Sequence, residues 1–131
     1  MDSRPVGVFD SGVGGLTVLH ECLVTMPHED FVYLGDHARL PYGPRPLDEV
    51  RHFAREIGSY LQEQGVKLVV NACNTATSAA LPQLQEELDV PVVGVITPTT
   101  GTSSSSWSCG SAADVAVLHA LTTSLTPCSC R

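Results

Sequence analysis

Apolar residues in this chain gather in short runs that alternate with stretches of helical periodicity. Val6-Gly7-Val8-Phe9 is bounded by Pro5 and by Asp10-Ser11-Gly12, the pattern of a buried strand. Leu16, Val18, Leu19, Leu23 and Met26 then recur at helical spacing, and Pro27 closes that helix. Phe31 to Leu34 reads as a second strand ended by Gly35-Asp36, and a polar loop rich in proline and glycine follows from His37 to Pro46. Val50, Phe53, Ala54, Ile57, Tyr60 and Leu61 mark a second amphipathic helix, with Gly65 as its stop. Leu68-Val69-Val70 is a third strand that opens into Asn71-Ala72-Cys73-Asn74-Thr75. Ala76 to Leu88 reads as a helix bent or restarted at Pro82, because proline lacks the amide that a helix interior needs. Val90 to Ile96 supplies a fourth strand.

Strands alternating with helices through short connections predict an α/β fold, a parallel βαβ sheet with right-handed crossovers and helices on both faces. Open sheets of this kind bind ligands beyond the carboxyl ends of their strands. Those ends carry Asp10-Ser11-Gly12, Gly35-Asp36, Asn71 to Thr75, and Thr97-Pro98. Three of the four offer small polar or reactive side chains followed by a helix N-terminus, which favours anions. A small carboxylate-bearing ligand is therefore expected.

Composition narrows this. The chain of 131 residues has 43% hydrophobic and 16% charged residues, a globular balance with no apolar run long enough for a membrane span. Its formal net charge of −7 argues against nucleic acid or an anionic membrane as partner, since both need Lys/Arg on a face. Five cysteines without a disulfide spacing pattern, and no visible secretory signal, predict a reducing cytoplasm.

The averages hide a seam. Residues 1–100 carry 13 of the 14 acidic groups and 6 of the 7 basic ones, so the whole net charge lies there. Residues 101–131 hold 12 Ser/Thr and 3 of the 5 cysteines, with Asp114 and Arg131 as their only charges. The expected organisation is an α/β domain over 1–98 and a Ser/Thr/Cys-rich tail over 99–131.

Cys73 is the most suggestive single residue. It stands at a strand end, just before a helix whose positive terminus favours a thiolate, which suits a nucleophile or a proton-transfer base. A small buried hydrophobe is the competing reading. Asp10 has two readings as well, a group assisting a base or binding ammonium, or a turn carboxylate. Cys22 falls on the core face of the first helix and reads as structural. Gly12-Val13-Gly14-Gly15-Leu16-Thr17 lacks the third glycine of a dinucleotide fingerprint and the Gly-Lys-Ser/Thr ending of a P-loop. A tight turn that brings backbone amides near a ligand fits it better. The five histidines form no metal spacing, and Cys128-x-Cys130 is too isolated for a metal motif.

Three motifs taken together, Phe9 to Leu16, Gly35-Asp36 with Pro41-Tyr42-Gly43, and Asn71 to Ala76, closely resemble the glutamate racemases of the aspartate/glutamate racemase family. They stand in the family's order and spacing, and the likeness runs from Val6 to about Ile96. The Asp-Ser-Gly-Val-Gly-Gly form is similar to the glutamate enzymes rather than their aspartate or hydantoin relatives. The resemblance implies the first domain of a two-domain fold and a cofactor-independent interconversion of L- and D-glutamate for peptidoglycan. It makes Cys73 one of two catalytic thiols. Asp10, Ser11, Tyr42, Gly43, Asn74 and Thr75 become substrate contacts. The second thiol of the family lies in a Gly-Cys-Thr-His motif, and Cys109, Cys128 and Cys130 all lack that context. Family members are about twice as long, so a truncated or frame-shifted product with little turnover alone is expected. A homodimer setting a tail cysteine opposite Cys73 has no sequence feature in its favour. The rival readings are a non-catalytic small-carboxylate-binding fragment and a cysteine-dependent isomerase or lyase of the same superfamily.

Overall fold

A computed structural model of the protein describes residues 2–95. The elements run β1 (Val6–Asp10), α1 (Gly15–Thr25), β2 (Phe31–Gly35), a 3-10 turn (His37–Arg39), α2 (Leu47–Glu63), β3 (Leu68–Asn71), α3 (Asn74–Glu87) and β4 (Val92–Gly94). The expected tail over 99–131, Thr97-Pro98 and the end of the fourth strand at Ile96 lie outside the described residues.

The four strands form one sheet in the order β2-β1-β3-β4, every pair parallel. β1 is thus central, with Val8 opposite both Tyr33 and Val70. The period of two in a strand divides the side chains between two faces. Phe9, Val69 and Val92 pack with Phe53, Ile57 and Leu61 of α2 and with Ala76, Ala80 and Leu84 of α3. Val6, Val8, Leu68 and Val70 pack on the other face against Val18, Cys22 and Met26. Helices therefore cover both faces, two on one side and α1 alone on the other. The far end of the sheet is pinned by buried Lys67, whose ammonium donates to the Glu29 carboxylate and to the Asp2 carbonyl.

Three local expectations need correction. Val18, Cys22 and Met26 form a stripe four residues apart, and that stripe alone is buried among the apolar positions of α1. Leu16 and Leu23, at helical spacing in the sequence, are each 47% exposed because they lie off the stripe. Tyr60 of α2 is exposed for the same reason. Pro82 does not restart its helix, for α3 runs unbroken from Asn74 to Glu87. Pro82 and Ser78, whose carbonyl loses a donor, both face water, while Ala79, Ala80, Leu81 and Leu84 anchor the helix on either side. Finally α2 begins three residues earlier than the apolar pattern marks, at Leu47 behind Pro46. Gly65 ends it as expected, with φ of +77°, a left-handed conformation that glycine adopts without strain.

Candidate active site

The carboxyl ends of β1, β2 and β3 meet at one edge of the sheet, where three loops converge. The first runs from Asp10 to Gly15. The Asp10 side chain is buried, and its Oδ2 accepts from the backbone N–H of Gly12 at 3.1 Å and of Gly15 at 3.0 Å. Asp10 is therefore a turn carboxylate, and this bonding fixes where α1 begins. Tyr33 of β2 closes the same turn by donating its hydroxyl to the Gly12 carbonyl at 3.0 Å. Ser11 beside it is half-buried.

Glycine is required at position 15. A Cβ placed there would lie 2.6 Å from Asp10 Cβ, 3.0 Å from Tyr33 Oη and 3.2 Å from Ala72 Cβ. The start of α1 is thus wedged between the ends of β1 and β3. The strands are tied at the same level, since Ala72 N–H donates to the Phe9 carbonyl at 2.8 Å and Asp36 N–H to the Asp10 carbonyl at 2.9 Å.

The loop after β3 delivers Cys73. Asn71 Oδ1 accepts from Cys73 N–H at 3.1 Å, a side-chain turn that ends the strand and turns the chain into α3. Cys73 is the N-cap of α3, and its sulfur accepts from Ala76 N–H at 3.4 Å. Only 5% of Cys73 is exposed, so the sulfur is buried but has a helix amide aimed at it. Asn74 is exposed and Thr75 half-buried at the first turn of α3.

The loop after β2 is the third of these loops. Tyr42 is buried, and its hydroxyl donates to Asp36 Oδ2 at 2.5 Å. That oxygen also accepts from Arg39 Nε at 2.6 Å. The Tyr42 phenol is committed to this bond, so the side-chain contact expected of it is taken up inside the protein. Gly43 next to it faces open space, with nothing within 4 Å of a Cβ placed there.

Sequence reasoning missed what holds this loop down. Arg39 reaches Glu56 of α2 at 2.5 Å, and its guanidinium lies 4.1 Å from the centre of the Phe53 ring. Arg45 donates to the Arg39 carbonyl at 2.9 Å and sits 5.2 Å from the same ring. Phe53 thus receives two cations and, at 5.6 Å, the Tyr42 ring. The available signal was an Arg three residues after Asp36 and another four before Glu49.

Burial first, and then the Asp36 carboxylate, push the Tyr42 hydroxyl well above the ordinary phenol range. Below pH about 10 the phenol is neutral in both folded and unfolded chains, so its contribution to stability is complete there. Above that value the unfolded phenol ionises first, and stability falls as pH rises. Tyr42→Phe should therefore lose less stability than the parent between pH 7 and about pH 11. Urea-midpoint comparison checks this, and an equal alkaline loss in both proteins would refute it.

Among the described residues no three His, Cys, Asp or Glu side chains converge as metal ligands, and no helix is long and apolar enough to cross a membrane.

The chain is 62% identical over 94 residues to a glutamate racemase of Thermus thermophilus, covering 72% of this chain and 37% of that protein. A glutamate racemase of Streptococcus suis is 51% identical over 98 residues, 75% of this chain and 37% of the relative. The Thermus thermophilus crystal structure, in complex with beta-chloro-D-alanine, superposes with a TM-score of 0.69 at 61% identity, over 71% of this chain and 36% of that one. That of Francisella tularensis, in complex with D-glutamate, gives 0.69 at 42% identity, over 72% and 36%. The chain thus spans about 37% of the length of the curated relatives it matches. The model of the Asp/Glu/Hydantoin racemase family matches residues 17–126. With that match over most of its length and the parallel sheet of the superposed racemases, the chain belongs to the Asp/Glu/Hydantoin racemase family.

Proposed function

We propose that this chain forms one half of a glutamate racemase site, in which Cys73 exchanges the Cα proton of glutamate on one face. The observation that carries the reading is the position of Cys73, capping α3 with the Ala76 amide aimed at its sulfur, one residue after Ala72, whose N–H donates to the Phe9 carbonyl. A thiolate there takes the proton from Cα, the electron pair remains on the substrate as a carbanion-like species, and the thiol so formed can return it. Backbone and side-chain donors around the carboxylate stabilise that charge. Ser11, the Tyr42-Gly43 backbone, Asn74 and Thr75 are the proposed substrate contacts, with Asp10 ordering the turn that carries Ser11. The reaction so drawn uses no cofactor.

Full racemisation needs a proton donor on the opposite face, and no Gly-Cys-Thr-His motif occurs in this sequence. The reading is supported further by the Francisella tularensis relative, whose structure holds D-glutamate. Incubating purified chain with each glutamate enantiomer in deuterated water tests it. Exchange with racemisation supports a complete site, and exchange of one enantiomer alone supports a one-thiol half-site. Binding with no exchange would sink the enzyme reading and leave a small-carboxylate-binding fragment.

A further inference from the structure

The structure assigns Asn71 as a positioning residue for the Cys73 thiol, which deepens the proposed function and rests on it. Asn71 occupies the last position of β3 and is fully buried on the face that carries Phe9, Val69 and Cys73. The three residues before it, Leu68, Val69 and Val70, are all apolar and buried. An amide in that company needs hydrogen bonds on both of its ends. It has one: Oδ1 accepts from Cys73 N–H at 3.1 Å, while Nδ2 is buried with no partner among the described residues.

That asymmetry is informative. A residue chosen for packing alone would be apolar, because a leucine has nearly the same shape and carries no side-chain donor to orphan. The polar end that is used acts on the residue bearing the thiol. The main chain of Asn71 is held as well, its carbonyl accepting from Val95 N–H at 3.1 Å and from Thr77 Oγ1 at 3.4 Å. Asn71 is thus fixed to β4 and α3, and through Oδ1 it sets the turn that makes Cys73 the helix cap. The sulfur's own bond to Ala76 N–H depends on that turn. Asn71 touches no reacting atom; it holds the one that does.

The test uses the full chain with Asn71→Leu and Asn71→Thr. Native-state alkylation by iodoacetamide is followed on the Cys73 and Cys22 peptides by mass spectrometry, alongside the melting temperature. Cys22 is fully buried on the opposite face of the sheet and reports global opening. In Asn71→Leu the cap should open more often. Cys73 labelling then rises about tenfold, the factor that loss of one hydrogen bond gives a local opening equilibrium. Cys22 labelling stays within about twofold, and the melting temperature changes little, because the orphaned Nδ2 donor is removed while Cys73 N–H loses its acceptor. Asn71→Thr, whose hydroxyl can accept the same N–H, should keep Cys73 labelling within about threefold of the parent. Parental labelling of Cys73 in Asn71→Leu would overturn the assignment. So would parallel acceleration of both cysteines or a loss of folding, either of which makes Asn71 a general structural residue. None of these readings involves glutamate, so they stand apart from the exchange assay.

Discussion

Cys73→Ala is expected to remove all measurable exchange of the glutamate Cα proton, a loss of at least about 10³-fold for a proton-transfer base with no substitute nearby. The cost to the fold should be small by comparison. Alanine cannot accept the Ala76 N–H that the sulfur now accepts, and such a cap loss is worth about 1 kcal/mol. The two effects are separated by Cys73→Ser. Serine is among the best N-caps, so it restores the helix start, but its hydroxyl is a far weaker acid than a thiol and should leave exchange absent. Exchange followed by NMR in deuterated water, with urea denaturation of the same samples, gives both quantities. Exchange at parental rate in either variant would remove Cys73 from the chemistry.

Gly15→Ala is expected to destabilise the protein by about 2 kcal/mol, the net of opposed effects. Alanine favours the helix by about 1 kcal/mol over glycine. Against that, its Cβ would stand 2.6 Å from Asp10 Cβ, nearer than real contacts allow, so either α1 or the Asp10 turn must move. Overpacking of this kind costs about 1–3 kcal/mol, and a weakened bond from Gly15 N–H to the Asp10 carboxylate adds about 1–2 kcal/mol. Gly43→Ala is the matched control, since a Cβ there meets nothing within 4 Å. A shift in the urea midpoint for position 15 and none for position 43 is the expected result. Equal midpoints for both would show that the first turn of α1 yields freely. Because Asp10 orders the turn that carries Ser11, a proposed substrate contact, Gly15→Ala should weaken glutamate binding along with the fold.

The strand and helix alternation was legible because Val6, Val8, Phe9, Leu68 and Val70 are buried on both faces of a parallel sheet, which writes strands as continuous apolar runs. The place of Cys73 was legible because it follows such a run directly and opens a helix, where the sulfur is nearly buried and bonded to a helix amide. Of the two readings of Asp10, the structure shows the turn carboxylate. What stayed hidden depends on where side chains point after the chain has turned. Leu16 and Leu23 match helical spacing, yet only one stripe of α1 reaches the sheet. The bond from Tyr42 to Asp36 and the stacking of Arg39 on Phe53 need the loop folded back over α2, which no local pattern records. The orphaned Asn71 donor is likewise invisible until its surroundings are known to be apolar.

The strand order β2-β1-β3-β4 also governs when the site comes into being. As the chain is synthesised, β1 can pair first with β2, a nearby partner joined through α1. That half-sheet holds Asp10 and Asp36 but not Cys73. The Phe9 to Asn71 pairing closes a loop across most of the described chain, and ordering so long a loop is the slow, entropically costly step of assembly. The Asp10 turn and the loop that carries Cys73 come together only at that closure. A chain that has paired only β1 with β2 therefore lacks the proposed reactive centre, which arrives only with the β1–β3 pairing.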